Sequence, residues 1–166
     1  MTTFDPETFM QQTIDAPISD EYILCPEGEY QAVIDDFTAE TAFRTNEFEY
    51  KKGPNAGLPG EMTTFNCPWV IQDDRAKVAL NRDKVIVQMP IILDFDQSGQ
   101  LDLGVNKNVK LGQLRTAVGQ KDTKPWGISM LKNAGPAMVR VKHREIERKD
   151  KSKMKIAEVD RVVPIR

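Results

Sequence analysis

The chain is short of the groups that most enzymes use. It has one histidine, His143, and two thiols, Cys25 and Cys67, in 166 residues. One imidazole excludes a His-rich metal centre, and two thiols are too few for a disulfide scaffold. A reducing compartment, the cytoplasm, is the expected location. No CxxC or HExxH spacing occurs, so no metal-ligand signature is present. GxxxxGK[ST] and GxGxxG are also missing, so no loop is marked for cradling a phosphate. No apolar run approaches the roughly 20 residues of a membrane-spanning helix, so no membrane partner is expected. The opening, MTTFDPETFMQQTIDAPISDE, is acidic and lacks an apolar stretch, and is not expected to act as a signal peptide. No catalytic residue, metal or cofactor is expected. His143 stands between Lys142 and Arg144 with no nucleophile-elbow sequence to serve, and reads as an ordinary strand residue. Asp94 and Asp96 read as a strand end running into a glycine turn rather than as a metal pair.

What the chain does have is charge, unevenly laid. The formal net charge is −2, yet residues 1–47 carry −10 and residues 105–166 carry +10. A near-neutral protein with one basic end can bind a polyanion on one face. The same gradient also lets the two ends pair, within a subunit or between neighbours.

Residues 1–28 read as an N-terminal arm. Asp5-Pro6-Glu7 is a helix start, with proline at the first helical position. A short helix with an extended tail buries little alone, so the arm must lie on the domain or on another subunit. Residues 29–166 read as one domain. Tyr30, Ala32 and Ile34 alternate with polar neighbours and predict a first strand that bends onward toward Phe43. Residues 51–60 hold three glycines and two prolines and read as a mobile hairpin tip. Strands follow over 62–72 and 85–95, each with an internal proline (Pro68, Pro90) that demands an edge or a bulge. Residues 73–84 read as a polar connection. A helix runs from Asn106 or Asn108 to Val118, with Gly119 placed for a left-handed cap. A short second helix after Trp126 is allowed. Strands over 137–146 and 155–163 close the chain. The expected fold is mainly β with one or two helices. Five strands with a helix between the third and fourth suit an OB-like five-stranded barrel. Another small barrel or sandwich would satisfy the same order.

The basic end has a pattern. Arg140, Lys142 and Arg144 alternate and project from one strand face. Lys107, Lys110 and Arg115 lie on the preceding helix, and Lys151 and Lys153 crowd the last hairpin. Such a stripe suits phosphate contacts. Proteins that bind single strands add aromatics on which bases stack. Tyr50-Lys51-Lys52 joins an aromatic to two cations beside a loop tip. Trp126 sits in a loop context between Pro125 and Gly127. Phe48 is a further candidate, while Phe65 and Trp69 share a strand face that equally suits a core.

Three islands carry a family resemblance. Residues 27–34, EGEYQAVI, resemble the EGEYxAxI first strand of small phage-encoded proteins that bind single-stranded DNA through an OB fold. Residues 111–119, LGQLRTAVG, are similar to their LxxLxxAxG helix. Leu131, Gly135-Pro136, Val139, Val141 and Ala157-Glu158-Val159 resemble their closing hairpin. The resemblance implies a non-enzymatic protein binding single-stranded DNA through a basic groove and stacking aromatics. The alternative is a bacteriophage virion component, a capsid cement or decoration protein whose arm clamps neighbouring subunits. Either reading expects assembly through the arm.

Overall fold

The structure, a computed structural model, describes residues 3–165. Met1, Thr2 and Arg166, the outermost residues of the expected arm and domain, lie outside them. Six strands, not five, form one sheet: β1 (Gly28–Ile34), β2 (Phe43–Glu49), β3 (Pro59–Ile71), β4 (Val85–Leu93), β5 (Ala137–Glu147) and β6 (Lys153–Val163). The helices are α1 (Pro6–Met10), α2 (Ala39–Ala42), α3 (Asp74–Leu80) and α4 (Val109–Ala117), with a 3-10 turn at Ile128–Leu131. The strand order is β1-β5-β6-β4-β3-β2, and β1 pairs with β3 as well. Five strands therefore pair in a ring, and β2 hangs outside it on β3. Every pairing is antiparallel except β4 with β6, which meet in parallel at Gln88 and Glu158 alone.

The alternation seen in the sequence sets which face turns inward. Phe65, Cys67, Trp69 and Ile71 of β3 meet Val85, Val87, Met89, Ile91 and Leu93 of β4 on the buried side. Tyr30, Ala32 and Ile34 of β1 join Val139 and Val141 of β5 and Val159 of β6 in the same core. Leu111, Leu114 and Ala117 bury one side of α4 against it. Phe65 and Trp69 are fully buried and are core residues. The Trp69 indole N–H is the one buried side-chain nitrogen or oxygen without a partner among the described residues.

The two strand prolines fit for a physical reason. In an antiparallel ladder a residue's N–H and C=O point to the same side. The Pro90 carbonyl accepts from Lys110 Nζ at 2.9 Å, and the Pro68 carbonyl accepts from the Asp35 N–H at 2.9 Å. Both carbonyls point away from the β3–β4 ladder, so the missing N–H groups remove no bond from it. Pro90 faces β6, whose pairing with β4 is a single bridge. Pro68 stands just past the β1–β3 register of residues 69–71.

Three elements differ from the sequence expectation. β1 ends at Ile34 and does not bend on toward Phe43, because Thr38 opens α2 with a capping box on Thr41. β2 has no alternation to reveal it, because all its residues but Phe43 are exposed; ladder bonds to β3, the Phe43–Phe65 stack and a Thr45–Thr63 hydroxyl bond hold it. Within residues 73–84, α3 forms on a cap: the Asp73 carboxylate accepts from the Arg75 N–H. It buries only Ala76. Asn108 does occupy the position before α4, but its side chain does not cap the helix. It bonds instead to the Asp94 amide and to the carbonyls of Asp94 and Asp102. The Asp96 carboxylate closes the following turn on Ser98 and Gln100. Gly119 takes φ +80°, the left-handed conformation its position calls for.

The arm joins the body at Cys25, which is buried in the core, so the exposed segment ends at Ile23 and Leu24 is half-buried. His143 secures the joint. Its Nε2 lies 2.8 Å from the Cys25 carbonyl, and its backbone N–H donates to the Glu27 carboxylate at 3.0 Å. That bond, with Lys142, His143 and Lys155 nearby, holds the Glu27 carboxyl below its ordinary pKa.

Candidate nucleic-acid interface

The strand registers place two hairpins at opposite ends of β4. The β2–β3 hairpin extends past Leu93, since Thr63 of β3 is the last residue paired with β4. The β5–β6 hairpin extends past Val85, because β6 runs parallel to β4 and enters from that end. Between them lies the outward face of β3 and β4. It carries Thr64, Asn66, Pro68 and Val70 opposite Ile92, Pro90, Gln88 and Ile86.

The first hairpin is built around a glycine. Phe48 pairs with Gly60 across the β2–β3 ladder. A Cβ on Gly60 would stand 2.7 Å from Tyr50 Cε2 and 2.9 Å from Phe48 Cζ. Glycine alone therefore lets both rings lie on the β3 backbone. The rings meet edge to face, 4.8 Å between centroids, and stay 40% and 38% exposed. The tip beyond them is internally bonded: Tyr50 and Leu58 pair at 3.0 Å, and the Gly57 N–H reaches the Tyr50 carbonyl at 2.7 Å. Lys51 and Lys52 stand exposed on this tip and form no ion pair among the described residues.

The second hairpin carries more basic residues but fewer free ones. Arg140, Lys142 and Arg144 do project outward along β5. Arg140 forks onto Asp160 with two 2.8 Å bonds, and Arg144 forks onto Glu158 at 2.6 and 3.0 Å. The Arg140 bond holds the Asp160 carboxyl below its ordinary pKa, and both guanidinium groups are shifted up. Lys142 lies across from Glu158, exposed, and Arg144 holds that carboxylate. At the tip Lys151 takes φ +67° within a turn closed by Arg148 and Ser152, and points no charge at an acid. Lys153 lies 3.6 Å from Glu145, a loose pair with both side chains exposed.

The helix residues are mostly tied down. Lys110 donates to the Pro90 carbonyl. Arg115 donates to the carbonyls of Gln120 and Thr123 and covers one face of Trp126 at 4.8 Å. The Trp126 indole N–H donates to Gln120 Oε1 at 2.8 Å, so this half-buried ring stiffens the 120–126 loop. Lys107 is exposed. Of the candidates singled out from the sequence, the structure gathers Phe48, Tyr50, Lys51 and Lys52 at one hairpin. It gathers Arg140, Lys142, Arg144, Lys151 and Lys153 at the other.

Sequence reasoning missed Glu158 and Asp160, the acids that answer the stripe. Counting outward from a hairpin tip centred on Asp150 pairs Lys142 with Glu158 and brings Asp160 beside Arg140, so the signal was present. The charge gradient had allowed the two ends to meet within a subunit, and the arm does approach this site. Asp20 and Glu21 share a groove of about 790 Å³ with Arg82, Arg148, Lys153 and Lys155. No protein-family model matches the chain, and no curated protein or solved structure matches it.

Proposed function

We propose that the five-strand ring is an OB-type barrel and that the protein binds single-stranded DNA without catalysing a reaction. The observation that carries this reading is the pair of hairpins flanking the β3–β4 outer face. OB folds bind oligonucleotides on the face of their second and third strands, between the first and last hairpin loops. Here β3 and β4 take those positions, and α4 lies between β4 and β5 as the helix of such a barrel does. The Phe48–Tyr50 pair supplies a stacking surface beside two free lysines. Lys142, Lys151 and Lys153 offer phosphate contacts at the far end. Stacking and backbone charge together serve a strand of any sequence.

A titration of labelled oligo-dT with the full chain over a range of salt tests the proposal. Binding at low salt that falls linearly with the logarithm of salt supports it. Indifference to oligonucleotides at low salt would overturn it and leave the virion-component reading in its place.

A further inference from the structure

The arm and the core meet only at its last residues. Among the described residues, no hydrogen bond joins residues 3–24 to the body. Yet this segment holds Phe4, Phe9, Met10, Ile14, Ile18, Tyr22 and Ile23, all more than half exposed. Phe4 and Phe9 touch each other, 5.5 Å between centroids, and α1 buries nothing. So large a run of bare apolar side chains marks a surface made for covering.

A complementary surface exists elsewhere on the molecule. A groove of about 780 Å³ is lined by Phe95, Leu101, Leu103, Trp126 and Ile128, with Lys124 at its rim. Leu103 is 88% exposed and Phe95 is 47% exposed. The groove lies at the C-terminal end of β4, where Phe95 bridges to Leu101. The arm leaves from the other end, at Cys25 and His143 beside the start of β6. Charge also matches: residues 3–24 hold five acids and no base, while Lys124 and Arg115 line the groove.

We infer that the arm of one molecule docks in the Phe95–Leu103–Trp126 groove of a second copy of this chain. An arm leaving one end of the body and received at the opposite end of its neighbour is a head-to-tail contact. Such contacts propagate unless the rotation between subunits closes a ring. The inference does not rest on the nucleic-acid reading, and either outcome of the oligo-dT titration leaves it standing.

Sedimentation of the full chain, without nucleic acid, tests it. The wild type should associate with concentration above its 18.8 kDa monomer. Leu103→Asp in the groove, or Phe9→Ser with Met10→Ser in the arm, should each weaken association by about tenfold or more, the loss of one or more buried apolar contacts. All three residues are exposed, so the folded body should keep its far-ultraviolet spectrum. Mixing the arm variant with the groove variant should restore heterodimers, because one intact arm then meets one intact groove. A wild type that stays monomeric overturns the proposal. So does association that survives either variant, or a mixture that stays monomeric.

Discussion

The two hairpins differ in what surrounds their cations. The β5–β6 hairpin is the richer in basic residues, but Arg140 and Arg144 are each held by a carboxylate across the ladder. The β2–β3 hairpin has only Lys51 and Lys52 at its tip, and both are free, next to two exposed rings. Paired arginines present a near-neutral surface, and a phosphate must compete with the acid already in place. The potential a strand meets therefore follows the pairing and not the count of lysines and arginines. Under the proposed single-strand binding, the shorter, less basic hairpin should lead.

The largest expected effect comes from removing its rings. Phe48→Ala with Tyr50→Ala should weaken oligo-dT binding by about 1–3 kcal/mol per base released from stacking. Gly60→Ala should reproduce part of that loss with every charge unchanged, since its Cβ displaces both rings. Equal affinity in all three proteins would end the claim that this hairpin leads. Next comes the salt dependence. Replacing Lys51 and Lys52 by alanine should flatten the slope by roughly 1.4, at about 0.7 per phosphate contact on a single strand. Glu158→Gln with Asp160→Asn should work in the opposite direction, tightening binding and steepening the slope as two arginines are freed. Should that double variant bind as the wild type does, the arginines are positioned away from the strand.

A smaller gain is expected from shortening the arm. Deleting residues 1–22 removes Asp20 and Glu21 from beside Arg82, Arg148, Lys153 and Lys155 and keeps the Cys25 and Glu27 contacts with His143. Binding at low salt should tighten a few-fold, and the gain should vanish at high salt as exposed charges are screened. The smallest effect is on stability. Asp160 is depressed below its unfolded value of 3.8 chiefly by the Arg140 hydrogen bond. The pair's contribution is therefore present above pH 3.8 and is lost as pH falls through the lower folded value. Both side chains are more than one-third exposed, so solvent weakens the contribution. Urea midpoints followed from pH 6 to pH 2 should converge for wild type and Asp160→Asn at the acid end.

The legible parts of the fold are those whose burial repeats along the chain. Strands around Tyr30, Trp69, Val87, Val141 and Val159 showed themselves by alternation, because one face of each is in the core. β2 and α3 did not, because they bury a residue or none and are held by ladder bonds and a cap. The site was legible in one half. Tyr50-Lys51-Lys52 could be read as a stacking and cationic tip, although nothing in the order of residues said that Gly60 would seat the rings. The stripe on β5 was legible as a row of charges and not as a row of ion pairs.

Local order decided the strand faces, the helix around Leu111 and Leu114, and the acid-to-base gradient, since each depends on neighbours a few residues away. Closure of the ring, the neutralising of Arg140 and Arg144, and the meeting of the arm's acids with Arg82 and Arg148 were left to the tertiary structure. Those contacts join residues from 14 to more than 100 positions apart. Chain spacing constrains such pairs only weakly, and it is the packing of the common core that brings them together.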